Sequence, residues 1–178
     1  MSVVGMADDG GMIPSTADAD AATVSAAAAL RWRWCRFDEL DVFELDAIFR
    51  ARQLVFLIEQ RCCYLDADGF DARSFHLAAW SPVHDLPMAY ARVVHPALKY
   101  AEPSIGRVFT SEAARGTGFG RELARRAIEA TQLAFPGHGI RISAQSRLER
   151  FYAEAGFAIV GERYIEDGIL HTEMLRPG

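Results

Sequence analysis

The sequence contains little lysine, no block of basic residues and no long apolar run. Lys99 is the only lysine among 178 residues, and the net charge is −5. Nucleic-acid phosphates are bound by clustered Lys and Arg, so this composition argues against nucleic-acid binding. A membrane-spanning helix needs about 20 consecutive apolar residues, and no run in the sequence approaches that length. We therefore expect no nucleic-acid partner and no membrane association.

Cysteine is also scarce. The chain has three cysteines, Cys35, Cys62 and Cys63, an odd number that lacks the CxxC spacing of redox and metal motifs. This usage favours reduced thiols in a cytoplasmic protein over a disulfide-linked secreted one. Cys62 and Cys63 have no second ligand pair at zinc-site spacing, so we expect no metal.

The first part of the chain differs in composition from the rest. Residues 1–30 are small, acidic and rich in alanine, and such a segment cannot bury enough apolar surface to offset the entropy of ordering. A signal peptide would need basic residues before its apolar stretch, whereas aspartates precede this one. We predict a disordered tail over 1–30 and one folded domain over 31–178.

Hydrophobic periodicity changes repeatedly between the period of strands and that of helices. The resulting order of elements indicates an α/β or α+β sheet with helices on its faces. Helices are predicted at 41–59, from a glycine turn to 135, and at 147–156; strands are predicted at 31–37, 75–80, 87–94, 105–111 and 139–145, with two more around Asp167-Gly168.

A glycine-rich turn stands between the fourth predicted strand and the long helix. Gly116, Gly118 and Gly120 leave the backbone bare where the first N–H groups of a helix have no partner, and an anion can approach such groups closely. Arg115 and Arg121 place cations on either side, where they would face a pyrophosphate. The alternative is a tight turn that serves packing alone.

Two well-known phosphate-binding motifs do not fit this turn. The dinucleotide fingerprint G-x-G-x-x-G requires glycine at position 121, where the chain has Arg121. The P-loop requires Gly-Lys-Ser/Thr, and no lysine is near. A nucleotide-binding domain of another class is therefore disfavoured.

The turn and a later segment resemble the GNAT N-acetyltransferase superfamily. Residues 115–120, RGTGFG, match Q/R-x-x-G-x-G/A, the acetyl-CoA pyrophosphate motif, and RFYAEAGF at 150–157 resembles the F-Y-x-x-x-G-F element. The blocks VFLIEQRCCYLDADGFDARSFHL and GERYIEDGILHTEM are similar to those of the ElaA-like branch, although Cys63 stands where that branch usually has proline. The resemblance spans about 31–175.

The resemblance implies a GNAT-type acyl-CoA N-acyltransferase fold. Its central sheet is mixed and mostly antiparallel, with about seven strands splayed between the fourth and fifth and with helices on both faces. Acetyl-CoA would enter the splay as a co-substrate, and a backbone N–H of Phe109 or Thr110 would polarise its thioester. The cofactor-binding residues implied are Val108, Phe109 and Thr110 for the pantetheine arm, Arg115, Gly116, Thr117, Gly118, Phe119, Gly120 and Arg121 for the pyrophosphate, and Gln145 and Ser146 as further polar contacts.

The same resemblance places the proton donor for the leaving thiolate at Tyr152. A phenol can act as that general acid; the alternative is a core tyrosine beside Phe151 and Phe157. The base that deprotonates the attacking amine stays open, and deprotonation through water is one alternative. Side-chain candidates are Glu59, His76, Glu166, Asp167 and His171, although the two histidines suit structural roles equally and Asp167 suits a hairpin turn.

The expected function is acetyl-CoA-dependent N-acetylation of a primary amine by direct attack in a ternary complex. The alternative is a non-catalytic acyl-CoA-binding sensor of the same fold. The acceptor is expected to be a small-molecule or peptide amine, and the protein a monomer or homodimer. Several carboxylates in predicted loops would suit a cationic acceptor, and the alternative is that they are solvated charges. These carboxylates belong to Asp66, Asp68, Asp71, Glu166 and Asp167.

Overall fold

A computed structural model describes residues 30–178. The predicted tail at 1–30, apart from Leu30, lies outside the described residues. Within 30–178, no helix is both long enough and apolar enough to cross a membrane.

The described chain forms one mixed sheet of eight strands. The strand order is β1-β2-β3-β4-β5-β8-β6, and β7 also pairs with β8. All neighbours are antiparallel except β4 and β5, which run parallel. The strands are β1 Arg31–Arg36, β2 Ser74–Trp80, β3 Ala89–Val94, β4 Ser104–Thr110, β5 Ile140–Gln145, β6 Ala158–Ile159, β7 Tyr164–Glu166 and β8 Ile169–Arg176.

The predicted mixed, mostly antiparallel sheet is confirmed, with eight strands instead of about seven. The extra strand, β6, has two residues, too few for a period-2 pattern to be recognised. The predicted hairpin at Asp167-Gly168 is also confirmed, since Glu166 and Ile169 pair directly across it.

Three α-helices connect the strands. They are α1 Val42–Arg52, α2 Phe119–Ala134 and α3 Glu149–Glu154. Asp41 caps α1 by accepting hydrogen bonds from the Phe43 and Glu44 backbone N–H groups. The first predicted helix continues to Glu59 as expected, but Gln53–Glu59 is π-helical. Single π turns of this kind are often found at functional sites.

The helices cover both faces of the sheet, as predicted. Side chains alternate along a strand, so β2, β3 and β4 each contribute to two separate cores. One core packs α2 and α3 against β-strand residues such as Ala91, Val93 and Ile142. The other packs α1 and the π-helical segment against Ala78, Tyr90 and Phe109. We call these the α2 face and the α1 face.

The splay between β4 and β5 is confirmed and has a local cause. Within the described chain the two strands share one ladder pair, Ser104 with Arg141. Directly after it, the register of β4 against β3 shifts between Tyr90 and Arg92, and Arg107 adopts a φ of 51°. A bulge of this type bends the strand and increases its twist, which ends pairing with β5.

Candidate active site

A cavity of about 770 Å³ occupies the splay between β4 and β5. Its walls come from both strands, from the π-helical segment, from α3 and from the β7–β8 hairpin. Tyr152 reaches it from the α2 face, whereas Glu59 and Gln60 reach it from the α1 face. The cavity therefore connects the two faces of the sheet, so two substrates can meet inside it from opposite sides.

The glycine turn lies at the start of α2 and exposes its backbone. Gly116 and Gly118 have φ values of 77° and 89°, a region in which a side chain is strained. A Cβ atom at either position would meet nothing within 4 Å. Among residues 30–178, the five N–H groups of 116–120 find no hydrogen-bond acceptor. Five free donors beside the positive end of a helix favour an anion.

The two flanking arginines are paired with carboxylates. Arg115 lines the cavity and its guanidinium lies 2.5 Å from a Glu59 carboxylate oxygen. Arg121 lies 3.2 Å from Glu154 and does not line the cavity. Both pairs are exposed to solvent, so their net energies are small. An anion at the turn can therefore compete for either arginine.

The predicted pantetheine-binding strand segment also lines the cavity. Val108, Phe109 and Thr110 follow the last pair between β4 and β5. Phe109 pairs with Tyr90 and Thr110 with Ala89 on β3, whereas Val108 lies in the bulge between the paired residues Gly106 and Phe109. The edge of β4 that faces β5 is thus open for an extended ligand to pair with it.

The two polar residues at the C-terminal end of β5, Gln145 and Ser146, lie in different places. Gln145 lines the cavity, and its amide donates to Gln60 Oε1 at 2.9 Å. Ser146 does not line the cavity, and its hydroxyl lies 2.7 Å from Thr172 Oγ1 on β8. The geometry therefore supports Gln145, and not Ser146, as a contact for a ligand in the splay.

The position of Tyr152 is compatible with both interpretations made from the sequence, a core tyrosine and a proton donor in the cavity. Its ring packs edge-on against Phe151 and Phe157, at centroid distances of 5.0 and 5.8 Å. The residue is 8% exposed and lines the cavity. Its hydroxyl has no hydrogen-bond partner within 30–178. Burial raises the pKa of this phenol to about 12, so the proton is held through neutral pH.

His76 does not lie where a base for the cavity is needed. It is 1% exposed on β2, which β3 separates from β4. Nδ1 lies 2.7 Å from the Tyr90 hydroxyl, and Nε2 lies 3.0 Å from the Asp71 carbonyl oxygen. Burial lowers the pKa of the imidazole. Both ring nitrogens are thus occupied in a structural role, and the geometry does not support His76 as the base.

The loop before β2 carries buried ion pairs. Asp71 accepts from Arg52 at 2.6 Å and from Arg92 at 3.1 Å, and both guanidinium groups are almost completely buried. Arg52 Nε also lies 2.8 Å from Asp66, although the angle is not that of a hydrogen bond. Asp68 receives two hydrogen bonds of 2.7 Å from Arg92.

Arg107 joins this network from the bulge in β4. Its Nε donates to Asp66 at 2.8 Å, and its Nη2 donates to Asp68 at 3.1 Å. Burial disfavours charge on Asp68, but the arginine hydrogen bonds outweigh that effect and lower its pKa to about 2. The expectations that Asp66, Asp68 and Asp71 are solvated or free for a cationic acceptor are therefore wrong, because three arginines neutralise them. The sequence feature that could have indicated these ion pairs is an arginine at a buried position of a helix, Arg52, and of a strand, Arg92.

Other ionisable groups also line the cavity. Glu166 and Asp167 belong to the exposed β7–β8 hairpin. His171, on β8, also lines the cavity, and its Nδ1 lies 2.9 Å from the Ile169 carbonyl oxygen. The Tyr164 ring stacks on the His171 ring at 6.0 Å between centroids.

Comparison with known proteins agrees with this arrangement. Residues 90–176 match the family model described as an acetyltransferase (GNAT) domain. A UPF0039 protein of Synechocystis is 42% identical over 146 residues, covering 82% of this chain and 94% of its own. ElaA of Escherichia coli is 36% identical over 149 residues, covering 83% and 96%.

Two solved structures share the fold over nearly their whole length. An acyl-CoA N-acyltransferase from Pseudomonas aeruginosa has a TM-score of 0.78 and 37% identity, covering 83% of this chain and 99% of its own. Crystalline E. coli ElaA has a TM-score of 0.77 over the same shares. Family and fold both support an acyl-CoA N-acyltransferase, and the chain belongs to the GNAT superfamily as an ElaA-like member.

Proposed function

We propose that the protein is an acetyl-CoA-dependent N-acetyltransferase that acts on a primary amine by direct attack in a ternary complex. The observation that carries this proposal is the turn at 116–120, whose five backbone N–H groups are unpaired next to the cavity in the splay. A related protein of this fold, from P. aeruginosa, is described as an acyl-CoA N-acyltransferase.

The cofactor would lie along β4 with its pyrophosphate on the turn. Gly116 to Gly120 would donate backbone N–H groups to the phosphate oxygens, and Arg115 and Arg121 would add charge. The arm would pair with the open edge of Val108, Phe109 and Thr110. Gln145 would contact it from β5, while Ser146 leaves the set because Thr172 holds it.

The chemistry needs an oxyanion donor and a proton donor. As the amine attacks the thioester carbon, a backbone N–H of Phe109 or Thr110 would stabilise the developing oxyanion, typically by about 3 kcal/mol. The C–S bond then breaks, its electron pair stays on sulfur, and Tyr152 donates its proton to the thiolate. A sensor that only binds acyl-CoA would not need this phenol in the cavity.

The acceptor is proposed to be a small-molecule or peptide amine that carries positive charge. Two exposed carboxylates that line the cavity, Glu166 and Asp167, support this choice, although Lys99 also lines the cavity and offsets part of their charge. Release of CoA thiol should be faster with dicationic amines than with neutral ones of equal size. Equal rates across such a series would contradict a charged acceptor.

The first experiment is isothermal titration with acetyl-CoA. The wild type should bind with micromolar Kd, and Gly118→Trp should lose binding because bulk covers the N–H groups. Gly137→Trp is the matched control, since Gly137 also has a positive φ of 80° and no atom within 4 Å of an added Cβ, but it follows the C-terminal end of α2, whereas Gly118 precedes its N-terminal end. Equal binding by both variants, or none by a folded wild type, would contradict the phosphate-binding turn.

Two further measurements complete the proposal. Thiol release with amines separates an enzyme from a sensor, since a sensor binds acetyl-CoA without turnover. Light scattering should give the mass of a monomer or homodimer. A cytoplasmic location is consistent with the free thiols of Cys35, Cys62 and Cys63 and stays a prediction.

A further inference from the structure

The proposed acylation needs a group that accepts the proton of the attacking amine. We infer that this group is His171 and that its Nε2 atom takes the proton. This assignment rests on the proposed function. Of the imidazoles in the described chain, His171 is the one that lines the cavity.

The strand pairing places His171 opposite the proton donor. Gln145 and His171 are direct partners across β5 and β8, so their side chains share a face of the sheet. Gln145 is hydrogen-bonded to Gln60, which follows the π-helical segment on the α1 face. Tyr152 packs in the core of the α2 face. A thioester in the splay would thus have the base on one face and the acid on the other.

One hydrogen bond decides which nitrogen of His171 is free. Nδ1 lies 2.9 Å from the Ile169 carbonyl oxygen, and a carbonyl can only accept, so Nδ1 carries the hydrogen. A neutral imidazole then has its lone pair on Nε2. Within residues 30–178, Nε2 makes no hydrogen bond. Nε2 of His171 can therefore take a proton from the attacking amine.

The neighbouring hairpin holds the ring in this position. The Tyr164 ring stacks on the imidazole, with an angle of 28° between the planes. The Tyr164 hydroxyl lies 2.5 Å from Ser143 Oγ on β5, which fixes the tyrosine to the sheet. His171 is thus oriented by its own strand on one side and by β7 on the other. We regard Tyr164 as a positioning residue.

The other candidates fit the role less well. Glu59 is paired with Arg115, and His76 uses both nitrogens elsewhere. Glu166 and Asp167 line the cavity from an exposed hairpin, whereas two contacts hold the His171 ring in place. A neutral imidazole with one free ring nitrogen can take a proton as a general base.

The step balances with these two groups. The amine nitrogen forms a bond to the thioester carbon and gives one proton to His171 Nε2. The C–S bond breaks with its electron pair on sulfur, which takes the proton of Tyr152. The products are an amide and CoA thiol, and solvent returns the proton from the imidazolium to the phenolate.

The kinetic test compares His171→Ala, His171→Gln and the control His84→Ala, whose side chain is exposed on the β2–β3 connection. Thiol release from acetyl-CoA is followed with spermidine and Nα-acetyl-lysine amide as amine probes. We expect kcat to fall at least 100-fold in both His171 variants, with the Kd of acetyl-CoA within twofold of wild type. Added imidazole should restore turnover to His171→Ala, where a space is left, and not to His171→Gln.

A second measurement addresses the tautomer without an acceptor. Two-bond proton–nitrogen NMR of the five histidines in the full chain, assigned with His171→Gln, should show Nδ1 protonated and Nε2 bare. Nε2 protonation would overturn the inference, and so would kcat within threefold of wild type in His171→Ala. Absence of thiol release by the wild type would instead overturn the proposed function, and the base with it.

Discussion

Replacing Tyr152 by Phe removes one hydroxyl from the cavity and nothing else. If that hydroxyl protonates the leaving thiolate, kcat should fall by 10² to 10⁴-fold, which corresponds to about 3 to 5 kcal/mol of transition-state stabilisation. The Kd of acetyl-CoA should change little, because the ring and its contacts with Phe151 and Phe157 remain.

The structure also predicts what Tyr152→Phe should not change. The hydroxyl has no hydrogen-bond partner among residues 30–178, so its loss leaves no buried group unpaired, and the free energy of unfolding should change by less than about 1 kcal/mol. The phenol is neutral below its raised pKa of about 12. Its deprotonation therefore cannot lower kcat between pH 7 and 10.

Tyr90→Phe is the matched control with the opposite expectation. Tyr90 is completely buried, does not line the cavity, and its hydroxyl contacts His76 Nδ1 at 2.7 Å. Its removal leaves a buried imidazole nitrogen unpaired, which should cost about 1 to 3 kcal/mol of stability. We expect kcat of the folded Tyr90→Phe variant to stay within threefold of wild type.

Urea unfolding and steady-state thiol release, measured on both variants, separate the two roles. Loss of activity without loss of stability in Tyr152→Phe, and the reverse in Tyr90→Phe, would agree with the assignment. Full activity of Tyr152→Phe between pH 6 and 10 would refute the reasoning, because a core tyrosine would then explain the position completely.

Two further predictions concern the charged groups around the cavity. Arg92 and Arg107 lower the pKa of Asp68 to about 2 in the folded chain, against about 4 in the unfolded chain. The Asp68 carboxylate therefore contributes about 2 kcal/mol of stability. This contribution is present above pH 4 and is lost as the pH falls towards 2. Urea unfolding at pH 7 and pH 3 should therefore show a steeper acid loss for wild type than for Asp68→Asn; parallel losses would argue against the ion pairs. Glu59→Gln breaks the half-exposed pair with Arg115 and should change kcat less than threefold and stability by under about 1 kcal/mol. A 100-fold loss of kcat, read from thiol release, would make Glu59 the base and displace His171.

The parts of the site that could be predicted from the sequence are contiguous segments whose conformation is local. The turn at 116–120 needs bare backbone with positive φ at Gly116 and Gly118, and glycine is the residue that adopts it without strain. Tyr152 lies in a short helix directly after β5, so its position follows from the chain order. Most strands and helices could be predicted for the same reason, because the spacing of apolar residues is a property of a contiguous segment.

The tertiary structure decided what depends on residues far apart in the chain. The carboxylates at 66–71 look solvated in the sequence, yet they are neutralised by arginines from α1, β3 and β4. The two-residue strand β6 is defined by its pairing with β8, and the π-helical turn after α1 packs Val55 and Phe56 into the core of the α1 face.

The assignment of the base shows the same division. His76 and His171 both stand on predicted strands, and the sequence by itself determined that a histidine was available but not which one faced the cavity. That choice followed from β8 being inserted beside β5 while β2 lies beyond β3, and from one carbonyl contact that leaves Nε2 of His171 free. Strand order and hydrogen-bond direction are properties of the folded chain, because they are set by contacts between residues that local sequence does not relate.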